Sequence, residues 1–273
     1  MKSALLVACV VLAAALCCPA SAATWLSDNF DSYANQAALE AVWTPIGSGG
    51  SGVLSTAQAQ SAPNSVLIDT TGTKRNRRTF ADTTALGIGD KIVWSFDYYD
   101  SNAGLSPYRQ YSNLQDTTAP SGTNQLIGMG LNNNQSSTAN GGNYYMARIL
   151  GHIPEDTGGS AGSYFKLNDF GVGLRSLGWH NLKVAMSSDD GLSTDYQFYV
   201  DGVLAELVSN VGTAAQIRSY DTVRLGSGLS NASTAAYYDN MLVRRVPVPE
   251  PATFTLVGLG FAGIMLAGRR RSA

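Results

Sequence analysis

Apolar and polar residues alternate with a period of two along much of this chain. The longest run is residues 91–99, where Ile92, Trp94, Phe96 and Tyr98 share one face. Residues 179–186 repeat the pattern, with His180, Leu182, Val184 and Met186 on the side expected to be buried and Trp179, Asn181, Lys183 and Ala185 on the other. Shorter strands are expected at residues 65–69, 143–150, 163–167, 195–200, 219–226 and 235–245. Asp201 and Gly202 stand between two apolar runs, a strong signal for a tight hairpin. One or two helical turns are expected at Gln36–Val42. Many short strands with frequent turns indicate an antiparallel sandwich.

The two ends break this pattern. Lys2 is followed by an uncharged run and then by Pro19, Ala20, Ser21 and Ala22. A basic start, a short apolar stretch and a small-x-small site make a secretory signal peptide, residues 1–22. Ala20 and Ala22 fit the two small pockets of a signal peptidase, which places cleavage after Ala22. A buried helix would need a polar face, which residues 5–16 do not offer. Lipoprotein processing would put Leu16 or Cys17 where a small residue is wanted. Cys9, Cys17 and Cys18 all lie within the leader, so the remainder has no thiol for a disulfide, a metal or a nucleophile.

Residues 247–273 carry three parts in order. Pro247, Pro249 and Pro251 keep their segment out of helix and sheet interiors and make an extended linker. Residues 252–268 hold no charge; as a helix they reach roughly 25 Å, slightly short of a ~30 Å hydrocarbon core. Arg269, Arg270 and Arg271 then stop transfer and are expected on the cytoplasmic side. This arrangement resembles the PEP-CTERM sorting signal of Gram-negative bacteria that make exopolysaccharide. The resemblance implies an exosortase as partner, recognition at Pro249, Glu250 and Pro251, removal of the single transmembrane helix, and transfer of the body to the cell surface or extracellular matrix. An unprocessed membrane anchor is the other reading.

Residues 23–246 form the body, one domain's length for an all-β fold. Of the chain's 18 Lys plus Arg and 20 Asp plus Glu, Lys2, Arg269, Arg270, Arg271 and Glu250 lie in the ends, so the body keeps 14 against 19, a net −5. That balance argues against nucleic acid as a partner. Residues 178–184, 196–204 and 237–243 resemble the last three strands of LamG-like, concanavalin A-like jelly rolls, and residues 28–33 resemble the first. The resemblance implies an antiparallel jelly-roll sandwich. It also implies a structural calcium ion near Asp28, Asp31 and Asp239, where carboxylates with carbonyls and water would supply the oxygens calcium wants. The alternative is that these aspartates cap turns. No other cofactor is expected.

Candidate chemistry in the body is sparse. Loops at residues 100–123 and 132–143, with Tyr108, Arg109 and Tyr111, have the aromatic and amide groups of sugar-binding loops. A glycosidase needs two placed carboxylates, and the Glu-x-Asp-x-x-Glu motif of sandwich glucanases is absent. Tyr164, Phe165 and Lys166 match one strand motif of alginate lyases without its companions. His152 and His180 are the only histidines, and no nucleophile-elbow motif accompanies them. Residues 74–78 are the sharpest cationic run, read either as a charged edge strand or as a contact for anionic polysaccharide. The expected function is a non-enzymatic surface protein that binds or structures extracellular polysaccharide, with no catalytic residue assigned. The alternative is a secreted glycoside hydrolase or polysaccharide lyase on the same fold.

Overall fold

The alternating segments pair into two antiparallel sheets. The computed structural model describes residues 22–247 apart from 71–72, 82–84, 103–108, 118–125, 133–142, 151–163, 192, 211–218 and 229–232. Ala20, the residues Pro249, Glu250 and Pro251, and Arg269, Arg270 and Arg271 lie outside the described residues, as do Tyr108 and His152. With strands numbered in chain order, the larger sheet runs β13 (Val203–Asn210), β12 (Thr194–Val200), β11 (Gly178–Ser187), β6 (Asp90–Asp100), β15 (Ala236–Pro247), β4 (Ser65–Ile68), β3 (Val53–Ser55). Its eighth strand, β1 (Ala23–Asp28), pairs with the second half of β15. The smaller sheet runs β10 (Tyr164–Lys166), β9 (Met146–Leu150), β8 (Leu126–Leu131), β7 (Gln110–Gln115), β14 (Thr222–Leu225), β5 (Asn76–Thr79), β2 (Thr44–Pro45). Among the described residues one helix forms, α1 (Gln36–Val42), capped by Asn35, whose side chain accepts from the Ala38 N–H at 3.0 Å.

The core lies between the sheets. Ile92, Trp94, Phe96 and Tyr98 of β6 are fully buried, as are Leu182, Val184 and Met186 of β11. They face Leu114, Ile127, Met129, Ala147, Ile149, Val223 and Leu225 of the smaller sheet in one apolar cluster. Phe165 meets Phe198 across the gap, edge to face at 5.5 Å. The hairpin at Asp201 and Gly202 forms as expected, with φ +51° and +80° at the two positions. The sandwich is all-β and antiparallel in every strand pairing described, as the patterning indicated.

Two sequence expectations shift. Residues 28–33 do not form the first strand. β1 ends at Asp28, whose carboxylate accepts from the Phe30 N–H at 2.8 Å, and the chain turns with Phe30 at φ +62°. Residues 100–123 are not one loop, because β7 passes through them and carries Tyr111.

Candidate functional site

The outward face of the smaller sheet carries four cations, Arg77, Arg148, Lys166 and Arg224. Strand register sets one row across six strands: Arg77 opposite Arg224, Arg224 opposite Asn113, Asn113 opposite Gly128, Gly128 opposite Arg148, and Arg148 opposite Tyr164. The next row runs Tyr111, Gly130, Met146 and Lys166. Alternation puts these residues on the side away from the core, because Leu114, Ile127, Met129, Ala147, Ile149, Phe165 and Val223 take the inward positions. Neither row contains a carboxylate.

Two glycines shape the floor of this face. A Cβ on Gly128 would approach Asn113 Oδ1 to 3.0 Å and Tyr111 Cδ2 to 3.6 Å. Gly130 has φ +145°, and a Cβ there would come within 2.5 Å of the Gln110 carbonyl. With no side chain at these two outward positions of β8, Tyr111 and Asn113 are buried against it. Tyr111 Oη and Tyr164 Oη are 3.1 Å apart, and the Arg148 guanidinium stands 4.8 Å from the centre of the Tyr164 ring. Lys166 sits 5.9 Å from the Tyr144 ring centre.

The electrostatics follow from this crowding. Burial lowers the pKa of Arg224, and Arg75 and Arg77 lower it further, while Asp221 opposes them. Burial also lowers that of Lys166. Burial, then the hydrogen bond with Tyr164, pushes the Tyr111 phenol well above its ordinary range. Asn113 Oδ1, Thr222 Oγ1 and the Nε atoms of Arg75, Arg109 and Arg224 are buried without a hydrogen-bond partner among the described residues. Such atoms are rare in folded proteins. These five belong to the smaller sheet or to residues bordering it; Trp25 Nε1, on β1 of the larger sheet, is another such atom.

The cationic run at residues 74–78 is therefore divided by the strand and does not sit at an edge. β5 lies between β14 and β2. Asn76 and Arg78 turn inward: Asn76 donates to the Trp43 carbonyl at 2.8 Å, and Arg78 forms an ion pair with Asp28. Lys74 pairs with Asp69 at 2.6 Å. Arg77 faces outward and is exposed.

The structure does not bring Asp28, Asp31 and Asp239 together. Besides Phe30 and Arg78, Asp28 accepts from Tyr33 Oη at 2.5 Å and Trp43 Nε1 at 2.9 Å. Asp31 accepts from the Asn64 N–H at 3.0 Å. Asp239 accepts from the N–H groups of Gln60 and Ser61 at 2.9 and 2.8 Å, and burial raises its pKa against these bonds. These carboxylates organise turns around α1 and the loop before β4. Among the described residues, no three His, Cys, Asp or Glu are grouped to hold a metal ion.

The outward face of the larger sheet is different. Tyr99 meets Trp179 edge to face at 5.4 Å and Tyr237 at 5.7 Å. Asp97 accepts from Asn181 Nδ2 and from Asn240 Nδ2, each at 2.7 Å. Lys183 caps the Tyr199 ring at 3.9 Å. These groups are partnered by their own cross-strand neighbours.

Comparison with known proteins agrees with this architecture and identifies the tail. Residues 247–271 match the family model described as the PEP-CTERM protein-sorting motif, so the chain carries a signal for export and surface sorting. No curated protein matches the chain significantly. Among solved structures, an alginate lyase, Aly36B, aligns at TM-score 0.53 and 13% identity, covering 82% of this chain and 98% of that one. An endo-1,3-β-glucanase from Streptomyces sioyaensis aligns at 0.51 and 16%, covering 84% and 98%. The endo-β-1,4-glucuronan lyase of the fungus Trichoderma reesei aligns at 0.50 and 13%, covering 81% and 95%. At these identities the likeness is one of fold, the jelly roll.

Proposed function

We propose that this surface-sorted protein holds anionic extracellular polysaccharide on the outward face of its smaller sheet, without cleaving it. The observation that carries the reading is the row Arg77, Arg224, Asn113, Gly128, Arg148 and Tyr164. In a body of net charge −5, Arg77, Arg148 and Arg224 share one sheet face, above buried polar atoms of Asn113, Thr222 and Arg224 that have no hydrogen-bond partner among the described residues. Arginine binds carboxylate and sulfate groups bidentately, and a tyrosine ring offers a surface for a sugar face. A linear polyanion lying across the strands would meet these groups in succession. The test is affinity electrophoresis through gels containing a polyuronate or a neutral β-glucan. Retardation by the polyuronate alone, weakening as salt rises, supports the reading. Equal mobility in both gels overturns it.

The carbohydrate-active enzyme reading draws on the same face. Tyr164, with Arg148 beside it, has the residue types a lyase needs to remove a proton next to a carboxylate. New unsaturated uronate ends after incubation with polyuronate would establish the enzyme instead.

The ends serve delivery in this account. Signal peptidase removes residues 1–22 after Ala22. An exosortase reads Pro249, Glu250 and Pro251 while the apolar helix at residues 252–268 holds the chain in the membrane, and then releases the body. Mass spectrometry of surface-extracted protein is expected to find a C-terminus before Arg269. An intact Arg271 there would contradict processing.

A further inference from the structure

Away from the cationic face, the segment between β10 and β11 carries a second constellation. The chain leaves Lys166, bonds to β13 through the Asp169 N–H and the Ala205 carbonyl at 2.9 Å, then returns through the Arg175 N–H to the Asn143 carbonyl at 2.8 Å. Arg175 is anchored beneath by an ion pair with Asp100, 2.9 Å long and almost fully buried on both sides. This anchor fixes the next residue, Ser176, which is exposed.

Ser176 Oγ lies 3.1 Å from His180 Nε2. His180 Nδ1 lies 2.7 Å from Asp201 Oδ2. Asp201 is held independently, since its Oδ1 accepts from the Asn181 N–H at 2.8 Å and its own N–H donates to the Asn181 carbonyl at 2.9 Å. The His180 ring is mostly covered and rests 5.3 Å from the Tyr145 ring. Tyr145 is fixed in turn by a 3.3 Å bond to Asp100. An exposed serine, a covered imidazole and a braced carboxylate, each within hydrogen-bond reach of the next, are the parts of an activated nucleophile. Stability alone does not call for the arrangement, because the hairpin is already tied by Asp201 Oδ1 and exposed polar contacts contribute little.

We propose that Ser176, His180 and Asp201 form a hydrolytic triad acting on esters of small acyl groups. Ser176 is the nucleophile, His180 the general base and acid, and Asp201 a positioning residue. With the imidazole proton on Nδ1 facing Asp201, Nε2 takes the Ser176 hydroxyl proton as Oγ bonds to the ester carbonyl carbon. The Ser176 carbonyl, 2.9 Å from Nε2, accepts the N–H so formed. Collapse of the tetrahedral oxyanion breaks the ester C–O bond, and His180 gives its proton to the departing alcohol. Water then attacks the acyl-serine, passing one proton to His180. Release of the carboxylic acid returns that proton to Ser176. Leu174 and Leu177 flank the nucleophile and are 60% and 67% exposed, which suits an apolar acyl group.

The sequence hid this constellation because Ser176 and His180 lie in no nucleophile-elbow motif and Asp201 reads as a hairpin residue. The full chain is incubated with p-nitrophenyl acetate and, separately, with a fluorophosphonate. The expected result is hydrolysis above background, a covalent adduct on the Ser176 peptide, and loss of both in Ser176→Ala with its melting temperature and polyuronate retention unchanged. His180→Ala is expected to lower kcat by on the order of 10²-fold or more. Asp201→Asn is expected to lower kcat with KM unchanged. Absence of the adduct, or hydrolysis that survives in Ser176→Ala, overturns the proposal.

Discussion

The two outward faces of this sandwich obey the same strand geometry but handle their polar groups in opposite ways. On the larger sheet, Asp97 satisfies Asn181 and Asn240, Tyr99 stands between Trp179 and Tyr237, and Lys183 covers Tyr199. That face is internally partnered. On the smaller sheet, Arg77, Arg224 and Arg148 share one row that contains no carboxylate, and buried atoms of Asn113, Thr222 and Arg224 lack hydrogen-bond partners among the described residues. A sheet face that neutralises itself contributes stability. One that accumulates like charge over unpaired groups gives up stability and gains most from an external anion.

Breaking the floor of the second face has the largest expected effect. Gly130→Val places a Cβ against the Gln110 carbonyl at an unfavourable φ, and is expected to destabilise the fold by about 3 kcal/mol in chemical denaturation. Removing the cations while keeping the fold comes next. Arg148→Ala with Arg224→Ala is expected to weaken polyuronate binding by on the order of tenfold per guanidinium, measured by calorimetry, while melting stays near wild type. The reverse pattern is expected on the larger sheet. Asp97→Ala leaves two half-buried amides without their acceptor and is expected to cost about 1.5 kcal/mol, with polyuronate retention unchanged. Trp179→Ala removes one edge-to-face pair and is expected to cost about 1 kcal/mol, again without affecting retention. A loss of binding in either larger-sheet variant would mean that the two faces had been assigned the wrong way round.

How much of this was legible in the sequence depended on the local signal. β6 and β11 were readable because bulky apolar residues alternate without interruption, and the hairpin because Asp201 and Gly202 tolerate positive φ. The helix at Gln36–Val42 was readable too. β8 was not, since Gly128 and Gly130 remove the outward half of its pattern. β7 hid among turn-forming polar residues that are strand residues only because β8 and β14 flank them. The cationic row was invisible for another reason. Its members come from six strands spread along the sequence from Arg77 to Arg224, and only register makes them neighbours. The run at residues 74–78 was visible as charge, but alternation sends Arg78 inward to Asp28 and leaves Arg77 on the surface. Asp28, Asp31 and Asp239 stood out through the jelly-roll resemblance, and their actual partners, among them Trp43, Asn64 and Ser61, could be seen only in the fold.

The most direct measurement is affinity electrophoresis of the wild-type protein beside Arg148→Ala/Arg224→Ala, in gels containing polyuronate or neutral β-glucan. The account predicts that polyuronate alone slows the wild type and that the double variant runs nearly free. Equal retardation of the two proteins by polyuronate would contradict it.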